Sequence, residues 1–93
     1  MKFEWDANKA ASNKRKHGIS FETATRVFAD PARLEIQDRW QGGEERWQTI
    51  GMVDGQVLLL VAHTIRDEAG TEVIRIISAR RAEKSERRIY EDA

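Results

Sequence analysis

The stretch QVLLLVAHTI (56–65) constrains the fold of this chain more than any other. It is apolar almost without interruption, and it falls well short of the roughly 18 residues of a membrane span. Such a run reads as a central strand covered on both faces or nearly so. Its flanks agree. Asp54-Gly55 is a strong short hairpin signal between it and RWQTIGMV (46–53), a second strand. RDEAG (66–70) turns the chain into TEVIRIISA (71–79), and RLEIQDRW (33–40) alternates as a further strand ahead of the flexible turn QGGEE. Every connection is short enough for antiparallel pairing, so residues 33–79 predict a four-stranded antiparallel meander.

The period differs on either side of the meander. Asp6 is a good N-cap for a helix over about residues 7–17, with Gly18 as its C′ residue. That helix is poor in large apolar groups, with Ala10 and Ala11 its main inward candidates. Its last turn, KRKH, is cationic and suits the negative end of the helix dipole. A second helix starts at Ser20. Phe21, Ala24, Val27 and Phe28 share its inner face, and Asp30-Pro31 ends it, because a residue before proline avoids the α region. Residues 82–92 read as a terminal helix with a sparse inner edge. FEW (3–5) either pairs as an edge strand or packs as an anchor. The order αα, ββββ, α defines an α+β domain over residues 1–93, with helices packed on one face of the sheet.

Ninety-three residues make one domain with one modest core. Sixteen basic and sixteen acidic residues cancel, so net charge favours neither a nucleic-acid nor a membrane partner, and only the placement of charge can. Without cysteine there is no disulfide and no thiolate metal site. Two histidines with no paired ligand spacing predict no metal site and no cofactor, and glycine-rich phosphate loops are missing. The N-terminus lacks a signal-peptide apolar region, so a cytoplasmic location is expected. Eleven of the sixteen basic residues are arginine, the side chain suited to gripping planar or tetrahedral anions.

Separated basic groups are what remain to carry chemistry: Lys14 to His17, Arg46, His63 to Arg66, Arg80-Arg81 and Arg87-Arg88. Each has an ordinary structural reading. His17 and its neighbours complement a helix C-terminus, and His63 is a satisfied core or edge histidine. Arg80 and Arg81 are solvated residues at a strand end. Strict alternation puts Ile74, Ile76, Ser78 and Arg80 on one face, with Val73, Arg75, Ile77, Ala79 and Arg81 on the other. Where this strand becomes a helix, backbone N–H groups would lie beside two guanidinium groups, a natural phosphate cradle. RNA cleavage needs a base for the 2′-OH, an acid for the leaving oxygen and cations for the charged phosphorane. A small basic cleft with a histidine or Tyr90 as proton carrier meets those needs without a metal.

Three segments in order, FEWDANKAASNKRKHGISFETATRVFADP, GEERWQTIG and IRIISARRAEKSERRIYE, closely resemble the BrnT family, the toxin halves of bacterial type II toxin–antitoxin pairs. The resemblance spans essentially the whole chain. It implies a RelE-like α+β fold and a metal-independent ribonuclease that slows translation. It also implies neutralisation by a BrnA-type antitoxin with a ribbon-helix-helix domain, operator DNA being bound only through that complex. Carried over by motif, Lys16 and His17 of KHG and Arg80 and Arg81 of SARR become candidate site residues, with Arg66 and His63 as further candidates. The implied division has Arg80 and Arg81 on the scissile phosphate, Lys16 on the RNA backbone, and His17 or His63 transferring protons.

Two other readings compete. One is a catalytically inactive module that only holds an antitoxin and acts as corepressor. The other is direct nucleic-acid binding, which predicts an operator shift by this chain alone. Trp40 and Trp47, which flank QGGEE, are either partner anchors or core.

Overall fold

The computed structural model describes residues 1–93, apart from the side chain of Gln41. In chain order the elements are β1 (Lys2–Glu4), α1 (Ala7–His17), α2 (Phe21–Ala24) running into a 3₁₀ segment (Thr25–Ala29), β2 (Leu34–Gln41), β3 (Glu44–Val53), β4 (Val57–Glu68), β5 (Thr71–Arg81) and α3 (Lys84–Glu91). The sheet order is β1-β5-β4-β3-β2.

Strands β2 to β5 form the expected meander, but the sheet has five strands and is mixed. The four-stranded antiparallel expectation is therefore corrected. Residues 2–4 pair parallel with Val73–Arg75 on the outer edge of β5. A three-residue strand carries too little alternation to announce itself. Its partner lies 71 positions away, and the tilted packing of Phe3 on Phe28 (5.4 Å between centroids) anchors it.

The second N-terminal helix is also corrected. Only Phe21–Ala24 is α-helical, with Ser20 capping through its side chain, and Thr25–Ala29 tightens to 3₁₀ geometry. The spacing of Phe21, Ala24 and Val27 explains this. A 3₁₀ turn has three residues, which stacks positions three apart on one line. All three of these side chains are fully buried. Helix α1 is bounded as its sequence predicts: Asp6 Oδ1 accepts from Lys9 N–H (3.0 Å), and Gly18, at φ 72°, donates to the Lys14 carbonyl.

Strand β4 lies between β3 and β5, and its apolar run is divided between two cores. Leu59 and Val61 face α1, α2 and the 3₁₀ segment, together with Phe21, Val27, Ile74 and Ile76. Leu58 and Leu60 face the opposite side with Ile50, and Met52, Ala82 and Tyr90 pack there. Helices therefore cover both faces: α3 lies opposite the N-terminal helices, correcting the one-face arrangement. It starts at Lys84 rather than 82 because Ala82 N–H still bonds the Leu58 carbonyl (2.9 Å).

One irregularity decides where the later side chains point. Ala62 pairs with Ser78, whereas His63 pairs with Ile76, so Ile77 is an extra residue in β5. The bulge reverses the alternation beyond it. Ala79 joins Ile74 and Ile76 in the core under α1, and Ser78 and Arg80 lie on the α3 side, opposite to the expected grouping. Both arginines follow the bulge, so they still diverge. Arg80 pairs with Leu60 on the α3 face, and Arg81 with Leu59 on the α1–α2 face.

Candidate nucleic-acid groove

The final two turns of α1 lie over β5 where that strand has outrun β1, which pairs only with residues 73–75. A cavity of about 200 Å³ opens between them. Lys9, Ser12, Lys16 and His17 line it from α1, Ile77 and Ser78 from β5, and Asn13 forms part of its wall. Positions 9, 13, 16 and 17 share one helical face, so one face of α1 delivers both lysines and the imidazole. None of the lining residues is acidic. A larger cavity, about 470 Å³, contains Asp30 and Asp54, and a third, about 280 Å³, contains Glu44 and Glu45.

Asn13 holds this arrangement and was missed in the sequence. It is 6% exposed. Its Nδ2 donates to the carbonyls of Ile19 (3.0 Å) and Ala79 (2.9 Å), and its Oδ1 accepts from Ala79 N–H (3.0 Å). The available signal was a polar residue at i+3 from Ala10, on the inward stripe of a helix with few large apolar groups.

On the α3 face the arginines are held by carboxylates. Arg80 makes a bidentate pair with Glu86 at 2.8 Å on both nitrogens, and Glu86 also accepts from Glu83 N–H in a capping box. The Glu86 hydrogen bonds raise the Arg80 pKa above its ordinary value, and the same pair lowers that of Glu86. At the start of α3 one guanidinium, that of Arg80, and the Glu83 N–H thus meet on the chain's own Glu86 carboxylate, while Arg81 lies on the opposite face of the sheet. Arg66 is bidentate to Glu4 (2.8 and 2.9 Å) and reaches Glu68 as well, and Arg75 shares Glu4 at 3.2 Å. Hydrogen bonds from Arg66, then Arg75, hold Glu4 at about 2.

His63 lies in the core. It is fully buried, edge-on to Phe28 (5.0 Å), and its Nε2 is 2.7 Å from Thr49 Oγ1. Its Nδ1 faces the Thr64 carbonyl at 3.3 Å. A carbonyl only accepts, so this pairing suits a neutral ring with hydrogen on Nδ1, accepting at Nε2 from the threonine hydroxyl. Burial pushes its pKa below the ordinary histidine value. Tyr90 donates to Asp30 Oδ2 (2.6 Å), which raises the tyrosine. Burial pushes Asp30 up, but hydrogen bonds from Met52 N–H, Tyr90 and Ala32 N–H outweigh it and leave the carboxyl below its ordinary range.

Of the six expected site residues, the structure therefore brings Lys16 and His17 into one groove. Arg81 is exposed on the same side of the sheet. Arg80 and Arg66 lie on the other side in ion pairs, and His63 is beneath the helices. Trp40 is 66% exposed, and Trp47 is half-buried. Among the described residues no three of His, Cys, Asp and Glu gather as a metal-ligand set, and no helix is long and apolar enough to cross a membrane.

A small mixed-sheet α+β domain with a cationic groove at an open strand edge is the class these features define. Residues 5–86 match the model of a family described as the ribonuclease toxin, BrnT, of type II toxin–antitoxin systems, and this chain belongs to that family. The fold is similar to the crystal structure of the Brucella abortus ribonuclease toxin BrnT, with a TM-score of 0.68 and 24% identity over 90% of this chain and 99% of that one. No curated protein matches the chain.

Proposed function

We propose that this ribonuclease toxin cuts RNA in the groove between α1 and β5, without a metal ion, and thereby inhibits translation. The observation that carries the reading is a concave site with two lysines and a histidine and no lining carboxylate. In that groove His17 is the proton carrier. It assists the ribose 2′-oxygen as it attacks the adjacent phosphorus and sheds its proton. The imidazole takes up the 2′-OH proton, and the 5′-oxygen leaves with a proton returned from the resulting imidazolium, directly or through water, giving a 2′,3′-cyclic phosphate and a 5′-hydroxyl. Lys16 and Lys9 offset the charge that builds on the phosphorane oxygens. Arg81 receives a flanking phosphate on the same side of the sheet. Arg80 ties α3 down through Glu86, Arg66 ties β4 to β1 through Glu4, and His63 serves the core.

Because the family acts in type II toxin–antitoxin systems, the partner is a protein antitoxin. We assign it to the BrnA type, with a ribbon-helix-helix domain that brings the complex to operator DNA in the cytoplasm. The test is cleavage of a defined RNA by the purified chain in excess EDTA, repeated with Lys16→Ala and His17→Ala. Cyclic-phosphate products lost in both folded variants are expected. Undiminished cutting by His17→Ala, or dependence on added divalent metal, would overturn the reading.

A further inference from the structure

Beyond residues 73–75, the outer edge of β5 has no neighbouring strand, so its N–H and C=O groups need other partners. At Ala79 both are taken by one side chain. The Asn13 amide presents a donor and an acceptor side by side, as a peptide edge does, and makes the two bonds a sixth strand would make there. Its second N–H bonds the Ile19 carbonyl just after the α1 C-cap, fixing where the chain leaves the helix. A leucine at this position could fill the volume, but it would leave three buried backbone groups unpaired and set no rotation for α1.

The residues fixed by this dock are the groove residues. Lys9 precedes Asn13 by four positions, Lys16 follows by three and His17 by four, so all share its side of α1. Ser78, on the opposing wall, is bonded directly to Ala79. Any rotation or slide of α1 against β5 changes the distance from His17 and Lys16 to the strand edge. We infer that Asn13 is a positioning residue for RNA cleavage: as a surrogate strand at Ala79, it sets the height and rotation of α1 that hold Lys16 and His17 over the groove. The inference rests on the groove reading above and concerns a residue that need not touch RNA.

The test is a cleavage cycle on the full chain with wild type, Asn13→Ala, His17→Ala and the double variant, each assayed well below its melting temperature. Amide exchange at Ala79 is measured alongside. Displacing a reacting group by about 1 Å can cost on the order of a hundredfold, so Asn13→Ala should lose roughly that factor, in kcat rather than KM. Combined with His17→Ala it should lose much less than that factor again, because most of its effect passes through the displaced imidazole and only the share carried by Lys16 remains. General loosening of the fold would instead multiply the two losses. Ala79 N–H should exchange slowly in wild type and quickly in Asn13→Ala. Asn13→Asp, which keeps the acceptor but removes both donors, should fall between the two and serves if the alanine variant does not fold. Wild-type cleavage by a folded Asn13→Ala, multiplying losses, or rapid Ala79 exchange in the wild-type chain would each overturn the inference. Full cleavage by His17→Ala alone would sink the groove reading, and this inference with it, a result separable from the others because position 13 is untouched.

Discussion

On the side of the sheet under α1, α2 and the 3₁₀ segment, Phe21, Ala24, Val27, Leu59 and Val61 are fully buried, and the basic side chains at the edge, Lys9, Lys16 and His17, line a groove with no acid. On the other side the apolar patch is small, held under one eight-residue helix, and Arg66, Arg75 and Arg80 are each bonded to Glu4, Glu68 or Glu86. Cations appear on both sides with opposite consequences. An arginine in a bidentate carboxylate pair is spent on tying elements together. A lysine or histidine in a cavity without acids keeps its hydrogen bonds for a ligand. The arginine count that looks like an anion-binding signature in the sequence thus belongs in large part to internal cross-links.

The most direct way to break this contrast is His17→Ala. Removing a general acid–base group typically costs about a hundred- to ten-thousand-fold in rate. A fall of that size in RNA cleavage, with an unchanged melting temperature, is expected. Gly51→Ala probes the packed side for stability instead. A Cβ there would lie 2.8 Å from Val27 Cβ and 2.9 Å from the Val27 carbonyl oxygen. Overpacking of this kind costs about 1–3 kcal/mol, so the urea midpoint should drop clearly. An unchanged midpoint would mean the helical layer is looser than described.

Arg81→Ala and Arg80→Ala separate the two sides at adjacent positions. The first should lower cleavage about tenfold, the worth of one charged hydrogen bond, and the second should act mainly on the stability of α3. Equal losses of activity would place both guanidinium groups on RNA.

His63 supplies the pH test of the buried side. Its folded pKa lies below the ordinary 6.5, because burial disfavours the charged ring. Below that value the unfolded chain binds more protons, so stability is fully present above about pH 6.5 and is lost as pH falls toward the folded pKa. The urea midpoint should therefore decline from about pH 7.5 to about pH 5.5, and His63→Leu should flatten that slope. The smallest effect is assigned to Arg66→Ala. Its ion pairs with Glu4 and Glu68 are largely exposed, so the change should cost less than about 1 kcal/mol and leave cleavage within a few-fold. Loss of activity there would move the site to the other face.

Much of this was legible in the chain. The caps at Asp6 and Gly18, the hairpin at Asp54-Gly55 and the apolar run of β4 depend on nearest neighbours and local periodicity, and each appears where expected. KRKH could be read as a cluster because four adjacent residues at a helix end remain adjacent in space. Arg80 and Arg81 were visible too, but not their fates, because Glu86 takes one of them only once α3 folds back across the sheet. Asn13 was hidden for the opposite reason. Its partner is 66 positions away, and nothing around it in sequence marks an asparagine that completes a strand edge.

By itself the sequence determined the family, the element order from α1 through the meander to α3, and the pairing of the four long strands, all of which rest on local patterns of apolar and turn residues. The tertiary structure alone decided that β1 joins the sheet, that the Ile77 bulge redirects the end of β5, and which cations are cross-linked and which face the groove. The physical reason is range. Helix caps and hairpins are settled by interactions across a few residues, whereas the availability of a charge depends on which distant carboxylate or backbone group the fold brings within about 3 Å of it.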